Sequence, residues 1–163
     1  MGLEVDPKLL DLAFTHRSFA YESGGLPTNE RLEFLGDSVL GLVVTEELYK
    51  RFPDLAESKL SPLRSGVVNM KALAEISKQL ELGQYLKIGK GEEATHGREK
   101  NSILSDSLEA LVGAIYLQFG YEKTAKVVAD WFLPQIESVK AQGAIVDPKT
   151  TLQELSSKLG LGK

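Results

Sequence analysis

Apolar residues recur every three or four positions along most of this chain, and strict alternation of apolar and polar residues is almost absent. This period is typical of helices that bury one face, whereas half-buried strands alternate. The longest such segment follows Asn29 and continues until Phe52 and Pro53. Its apolar positions are Leu32, Leu35, Val39, Leu42 and Val43. The pattern therefore predicts an all-α domain.

Capping residues and helix breakers predict where the first helices begin and end. Asp6 followed by Pro7 is typical of an N-cap and a first helical residue. Residues 22–28 contain two glycines and a proline, which predicts a loop. Asn29 follows this loop, and we expect its side chain to cap the long helix.

The second half of the chain is predicted to contain three more helices. A Ser-Pro pair predicts the start of a helix over residues 61–82, and residues 89–97 are polar and glycine-rich, which predicts a loop. A helix over residues 102–120, capped by Ser102, is apolar almost all round and belongs at the centre of the domain. A last helix is expected to cover the core and to end before Pro134.

Length and composition narrow the class of protein. At 163 residues and 17.8 kDa, the chain is long enough for one domain with its own core. It contains no cysteine, which excludes a disulfide scaffold and thiolate metal sites. The N-terminus lacks the basic and apolar regions of a signal peptide, and no uncharged apolar run reaches membrane-spanning length. We therefore expect a soluble, cytoplasmic protein.

Two pairs of carboxylates are the clearest candidates for chemistry. Glu33 and Asp37 are four residues apart, and Asp106 and Glu109 are three apart, so each pair lies on one helix face. No lysine or arginine lies between Arg31 and Lys50 or between Lys100 and Lys123, so neither pair is expected to have a local salt-bridge partner. Because unpaired acids among apolar residues are costly to bury, a bound divalent metal is the expected partner. Carboxylate oxygens suit Mg²⁺ or Mn²⁺.

The candidate residues also have other interpretations. A single acid pair is most often a solvated helix face, but two such pairs make coincidence much less plausible. Glu93 and His96 have the spacing of a ligand motif of di-iron helical bundles, which need this motif on two helices, and the chain has only one. His16 is expected to be a hydrogen-bonded structural residue. The net charge of −4 argues against a nucleic-acid partner, but two bound Mg²⁺ ions would bring it to about zero.

The segment NERLEFLGDSVL, at residues 29–40, resembles the signature motif of the ribonuclease III family nearly residue for residue. Supporting blocks lie around it in the family's order. They are Thr15 to Ser18, Leu60 to Asn69 with Arg64 at its centre, and Ser102 to Ala110. The resemblance covers almost the whole chain and implies the helical endonuclease domain of that family, of the bacterial type.

This resemblance implies an enzyme that cleaves double-stranded RNA as a homodimer. It identifies four ligands of catalytic Mg²⁺, for which Mn²⁺ can substitute: Glu33, Asp37, Asp106 and Glu109. Asp37 and Glu109 are also expected to be catalytic. The family's products carry 5′-phosphate and 3′-hydroxyl ends, and its bacterial members process ribosomal RNA precursors. Two Mg²⁺ ions about 4 Å apart suit phosphodiester hydrolysis, because they activate water and stabilise the leaving alkoxide.

The resemblance also suggests secondary site residues. Glu30 and Glu57 match further acids that line the family's RNA-binding valley. Phe34 matches an aromatic residue that enters a socket on the partner subunit. Arg98 and Lys100, beside the second acidic motif, are the basic residues expected to contact RNA, although a solvated charge cluster explains them equally well.

Residues 142–163 are predicted to be a linker and the start of a double-stranded RNA-binding domain, so that residues 1–141 form the endonuclease domain. The resemblance lies in the run from Asp147 to Leu155, and since the chain ends at Lys163 we expect that second domain to be truncated. An ordinary amphipathic helix over residues 152–159 is the alternative. Two other functions remain open: a catalytically silent RNA-associated interaction module of the same fold, and a dimetal carboxylate oxidoreductase.

Overall fold

The computed structural model describes residues 3–141, with side chains up to residue 138. Seven α-helices follow one another in this part of the chain. They are α1 (Pro7–Ala13), α2 (Arg17–Glu22), α3 (Glu30–Arg51), α4 (Glu57–Val67), α5 (Met70–Gln79), α6 (Lys90–Glu93) and α7 (Asn101–Ala141). Two 3₁₀ turns, Leu82–Tyr85 and Gly97–Glu99, lie on either side of α6. Within the described residues the only β pairing is one bridge between Thr15 and Lys87, so the predicted all-α fold is confirmed.

Helices α3 and α7 form the centre of the domain, and the other helices pack around them. Their contact is filled by residues that are almost completely buried: Leu40, Val43, Leu108, Val112 and Ile115. Helix α5 packs on α7, where Ser77 Oγ donates a hydrogen bond of 2.6 Å to the carbonyl of Leu104. The first part of α7, up to Gly120, is the central, mostly buried helix that the sequence predicts. It ends as expected at Gly120, where the backbone is not helical (φ 74°, ψ −177°), and a second helical segment follows.

The predicted start of α1 is confirmed, but the predicted cap of α3 is wrong. Asp6 accepts hydrogen bonds from the amides of Lys8 and Leu9, as an N-cap does. Asn29 precedes α3, but its side chain makes no cap hydrogen bond. Its amide group instead donates to the carbonyl of Ala13 at 3.2 Å, because Asn29 is buried against the end of α1.

The predicted helix over residues 61–82 is also wrong. Helix α4 begins at Glu57 with Pro62 inside it, and it ends at Val67. A new helix, α5, then begins after Asn69, whose side chain accepts a hydrogen bond from the amide of Ala72. Asn69 starts a separate helix, because its side chain satisfies an amide that has no partner within the helix.

The ends of the last predicted helices also differ from expectation. The carbonyl of Lys100 accepts the first hydrogen bond of α7, so Ser102 lies in the first turn and is not the cap. The helix continues past Pro134, because Phe132 and Ile136 are buried on both sides of the proline and hold it against the core. The loop at 89–97 contains the one-turn helix α6, whose first amide donates to the carboxylate of Glu22.

Two glycines allow α3 and α7 to approach each other at backbone distance. A Cβ atom placed on Gly36 of α3 would lie 1.7 Å from the carbonyl oxygen of Glu109 in α7. A Cβ atom on Gly113 of α7 would lie 2.3 Å from the carbonyl oxygen of Leu32 in α3. Any other residue at either position would push the two helices apart, because the obstructing atoms belong to the backbone.

The glycine contact predicts that a glycine-to-alanine substitution has opposite effects inside and outside it. Gly113→Ala should lower the free energy of unfolding by about 3 kcal/mol, because the new methyl group overpacks the contact between helices. Gly41→Ala, at a position of α3 with no atom within 4 Å of a new Cβ, should raise it by about 0.5–1 kcal/mol through helix propensity. Urea denaturation followed by circular dichroism measures both. Equal effects of the two substitutions would contradict the glycine contact.

Candidate metal centre

Three carboxylates from the two central helices converge beside the glycine contact. Glu33 lies on α3, one turn before Gly36, and Asp106 and Glu109 lie on α7. One oxygen from each of the three carboxylates lies within 4.8 Å of the other two. All three residues are partly buried. The crossing of α3 and α7 therefore brings one acid of the first predicted pair against both acids of the second.

Burial and mutual repulsion make these carboxylates difficult to ionise together. Burial, together with the charges of Asp37, Asp106 and Glu33, raises the pKa of Glu109 to about 8. Burial and the charges of Asp106 and Glu30 also raise the pKa of Glu33. The pKa of Asp106 is raised by burial, against the opposing hydrogen bond from Ser105. The cluster is therefore short of positive charge.

No salt bridge in the described part of the chain neutralises Glu33, Asp106 or Glu109. Carboxylate oxygens at this spacing, partly buried and without a cation, match the ligands that Mg²⁺ and Mn²⁺ prefer. Among the described residues this is also the one group of histidine, cysteine or acidic side chains with the spacing of metal ligands. The residues present therefore fit a divalent metal ion.

Asp37, the fourth predicted ligand, lies at the edge of this cluster. Its side chain is exposed and is not among the three that converge. It is nevertheless close enough for its charge to raise the pKa of both Glu109 and Glu33. Asp37 also lines a cleft that it shares with Ser38, Leu42 and Arg64. Its assignment as a ligand stays a prediction.

The two secondary acids have different surroundings. Glu30 lies one turn before Glu33, accepts a hydrogen bond of 2.8 Å from Thr28, and raises the pKa of Glu33. Glu57 is exposed at the start of α4 and lines an apolar groove between α3 and α4. It is not among the charges that act on the three carboxylates. Within one chain, the structure thus brings Glu30 to the cluster but not Glu57.

The histidines belong to the framework around the site. His16 precedes α2, and its Nδ1 accepts a hydrogen bond from the amide of Ser18, as expected for a structural residue. His96 has a left-handed backbone conformation, with φ of 57°, and lies outside any helix. Glu93, three residues earlier, is bound to Arg98. This geometry gives no support to a di-iron motif.

The two predicted RNA contacts, Arg98 and Lys100, are bound within the domain. Arg98 donates to the carboxylate of Glu93 and to the carbonyls of Gly83 and Leu86. Lys100 donates to Glu92 at 2.5 Å and to Thr95 at 2.8 Å. These contacts join the segment before α7 to the 3₁₀ turn at Leu82–Tyr85 and to α6. A role of either side chain in binding RNA stays a prediction.

Phe34 lies on an exposed stripe of α3. Its side chain is 79% exposed, and Leu42 and Tyr49 are 56% and 72% exposed. With Ser38 and Thr45, which are also exposed, they form the α3 stripe, which spans about 80° of the helix surface at about 100° per residue. The apolar groove that contains Glu57, with a volume of about 410 Å³, opens beside Tyr49.

Sequence reasoning missed the glycines that join the two acidic helices. Gly36 and Gly113 each lie within about one turn of a candidate ligand, and this spacing was the available signal. It also assigned no role to Arg17, whose charge lowers the pKa of Glu33 and of Asp106.

Among the described residues, no helix is both long enough and apolar enough to cross a membrane.

Comparisons with known proteins agree with this architecture. A family model described as Ribonuclease-III-like matches residues 6–136. The chain is 56% identical to Ribonuclease 3 of Thermobifida fusca over 99% of its own length and 68% of that protein's length. It is also 56% identical to Ribonuclease 3 of Streptomyces coelicolor, over 99% of the chain and 59% of that protein.

Solved structures show the same fold. The nuclease domain of ribonuclease III from Campylobacter jejuni superposes with a TM-score of 0.74 at 46% identity, covering 78% of this chain and 86% of that one. Dicer from Pichia stipitis has a TM-score of 0.68 at 27% identity, with 88% of this chain and 62% of that one covered. The family match, these relatives and the helical fold lead to one conclusion. The chain belongs to the ribonuclease III family, and it is an endonuclease of that family.

Proposed function

We propose that this protein cleaves double-stranded RNA in a reaction that depends on Mg²⁺, leaving 5′-phosphate and 3′-hydroxyl ends. The observation that supports this most is the convergence of Glu33, Asp106 and Glu109, whose carboxylate oxygens lie within 4.8 Å of one another without a paired cation. Ribosomal RNA precursors are the proposed natural substrate, by analogy with bacterial members of the family. The shallow minor groove of A-form RNA would be recognised by its shape, phosphates and 2′-hydroxyls.

Each carboxylate has a proposed role. Glu33, Asp106 and Glu109 would hold the metal, and Asp37, at the exposed edge of the cluster, would be a further ligand. Mg²⁺ bound by these groups, in two positions, would supply a water that is nucleophilic at neutral pH and would stabilise the departing alkoxide. Because the pKa of Glu109 is about 8 without metal, this carboxyl group must release its proton when a cation binds. Metal affinity should therefore increase as the pH rises toward 8.

We infer further that two copies of the chain associate through the α3 stripe. Three large apolar side chains on one helix face, Phe34, Leu42 and Tyr49, are each more than half exposed, which is typical of an interface. The groove beside Tyr49 offers a place for the Phe34 ring of a second copy. The nuclease domain from Campylobacter jejuni shows structural flexibility in a region involved in its dimer formation.

The cytoplasm is the proposed location of this protein.

The two rival functions have less support. A silent RNA-associated module does not require its acids to be held together against repulsion, yet three converge here and the pKa of Glu109 is raised to about 8. A dimetal oxidoreductase would need histidine ligands, and neither His16 nor His96 belongs to the described carboxylate group.

The metal-ligand assignment predicts that Glu109→Gln and Asp106→Asn each reduce cleavage of duplex RNA in Mg²⁺ by at least about 100-fold, because each removes a ligand charge without changing volume. Glu137→Gln is the matched control: it removes an equal charge from an exposed position of α7 beyond the break at Gly120 and should keep parental activity. Gel assays with and without EDTA measure the rates. Near-parental cleavage by either site variant would refute the assignment.

The raised pKa of Glu109 predicts how stability depends on pH when EDTA removes metal ions. Folding favours the protonated carboxyl group, so this contribution to stability is complete below pH 4.5 and is lost as the pH rises to about 8. The melting temperature of the parent should therefore fall over this range by a few degrees more than that of Glu109→Gln. Each loss of about 1 kcal/mol in the free energy of unfolding lowers the melting temperature by roughly 2–4 °C. Calorimetry measures this difference, and parallel curves for parent and variant would exclude the predicted titration.

The proposed dimer predicts that Phe34→Ala weakens self-association by about 3 kcal/mol, the usual cost of truncating a buried phenylalanine. Tyr21→Ala provides the control, because Tyr21 is 87% exposed but lies on α2, away from the α3 stripe. Sedimentation equilibrium compares the three proteins. A parent that is monomeric at micromolar concentration, or equal dissociation constants for the parent and Phe34→Ala, would contradict the proposal.

A further inference from the structure

Arg17 is a flexible side chain on a fixed piece of backbone. Its neighbour His16 donates its amide to the carbonyl of Lys87 at 3.0 Å, and Ser18 on the other side accepts a hydrogen bond of 2.9 Å from the amide of Gly89. The backbone of His16 and the side-chain hydroxyl of Ser18 therefore tie the residues on both sides of Arg17 to the segment that precedes α6. Its own side chain is 74% exposed, so the guanidinium group can reorient while its origin stays in place.

The guanidinium group of Arg17 lies at the rim of the carboxylate cluster. Its Nη1 is 3.9 Å from the carboxylate of Glu30, which is one turn before Glu33 on α3. This separation exceeds hydrogen-bond distance, so the contact is a loose ion pair and the donors of the guanidinium remain available. A cleft of about 600 Å³, lined in part by Arg17, Thr28 and Glu92, opens beside it.

Other basic residues near the second acidic motif are already bound. Arg98 donates to a carboxylate and to two carbonyls, and Lys100 donates to Glu92 and Thr95. Releasing either would break contacts that hold the segment before α7. Among the described residues, the one ion pair of Arg17 is the loose contact with Glu30, and its charge acts on both Glu33 and Asp106. Among these three basic residues, Arg17 is therefore the one available to a ligand at the site.

An RNA duplex that approaches this cluster presents phosphates to a surface with several carboxylates. A bound metal ion would balance the phosphate at the point of cleavage, whereas a neighbouring phosphate would meet Glu30, whose one ion pair among the described residues is the loose one with Arg17. A planar guanidinium group offers paired donors that match phosphate oxygens. We propose that Arg17 binds a backbone phosphate of the RNA next to the cleaved one, and so positions the duplex over the metal centre.

This inference rests on the proposed function, because it takes duplex RNA as the substrate. In this role Arg17 is a positioning residue that acts on RNA binding. The alternative is that Arg17 only balances the charge of Glu30. The two roles differ in what happens when the charge is removed, because a phosphate contact adds to the salt dependence of RNA binding and an internal ion pair does not.

The experiment measures binding of a labelled RNA duplex by fluorescence anisotropy at several salt concentrations, in Mg²⁺ and in the Glu109→Gln background to suppress cleavage. Adding Arg17→Ala should weaken binding about three- to tenfold and reduce the slope of log K against log salt by about one. Arg17→Lys keeps the charge but loses the paired donors, so it should restore the slope and only part of the affinity. An unchanged slope in Arg17→Ala would overturn the inference.

Arg51→Ala is the matched control. Arg51 lies about five turns beyond Glu33 on α3, where it pairs with Glu47. This substitution removes the same charge from the domain, and it should leave RNA affinity and salt slope close to parental. If Arg51→Ala flattens the slope as much as Arg17→Ala does, the effect belongs to net charge and the inference fails.

A second measurement separates RNA binding from damage to the site. Calorimetric titration with Mn²⁺, without RNA, should show that Arg17→Ala binds the metal at least as tightly as the parent, because a competing positive charge has been removed. Loss of both metal and RNA binding would make Arg17 a structural residue and overturn the inference. If the parent shows neither metal-dependent cleavage nor RNA binding, the proposed function fails. If the parent binds RNA and Arg17→Ala leaves the salt slope unchanged, only the inference about Arg17 fails.

Discussion

The backbone contact between α3 and α7 determines most of what this domain can do. At Gly36 and Gly113 the two helices approach so closely that a single methyl group would collide with a carbonyl oxygen of the other helix. This approach places Glu33 against Asp106 and Glu109, which come from a segment about 70 residues later in the chain. The buried side chains between the same helices hold the contact in place. The acidic cluster is thus a direct product of how the core packs.

The cluster also places an electrostatic load on the fold. Burial and like charges raise the pKa of Glu109 to about 8, so the metal-free domain gains stability when this group is protonated. Apolar burial along α3 and α7 must outweigh the repulsion, because no described salt bridge relieves it. A divalent cation would replace repulsion by attraction at the same atoms. Stability and metal binding are therefore linked through the same carboxylates.

Sequence reasoning identified the acids because helical periodicity determines which residues share a face. Glu33 and Asp37 share one face of α3, but periodicity gives no distance to α7, and only Glu33 belongs to the group that converges with Asp106 and Glu109. Distances between helices depend on packing, which the pattern of a single helix does not contain. The errors at Asn29 and Ser102 have a similar origin. A residue suited to capping was placed by tertiary contacts or by an earlier helix start in a position where it does not cap.

Basic residues were harder to interpret than acidic ones. Arg98 and Lys100 are near Asp106 in sequence, which suggested RNA contacts, but their long side chains reach carbonyls and carboxylates of neighbouring segments. The position of Arg17 beside Glu30 depends on how α2 packs near the start of α3, and no local pattern shows it. Charge type is readable from the sequence, whereas the availability of a charge depends on the folded partners.

The atom closest to a Cβ on Gly36 is the carbonyl oxygen of Glu109, so the residue proposed to bind the metal is also a packing surface of the core. Rotation of side chains cannot widen a gap that two backbones define. Cations differ in radius, and ligand distances of about 2.0–2.1 Å for Mg²⁺ and about 2.3–2.6 Å for Ca²⁺ require different spacings of the same oxygens. The separation of the two helices sets where the ligand side chains begin, and the rotamers of Glu33, Asp106 and Glu109 would set the oxygen spacing that a given ion requires.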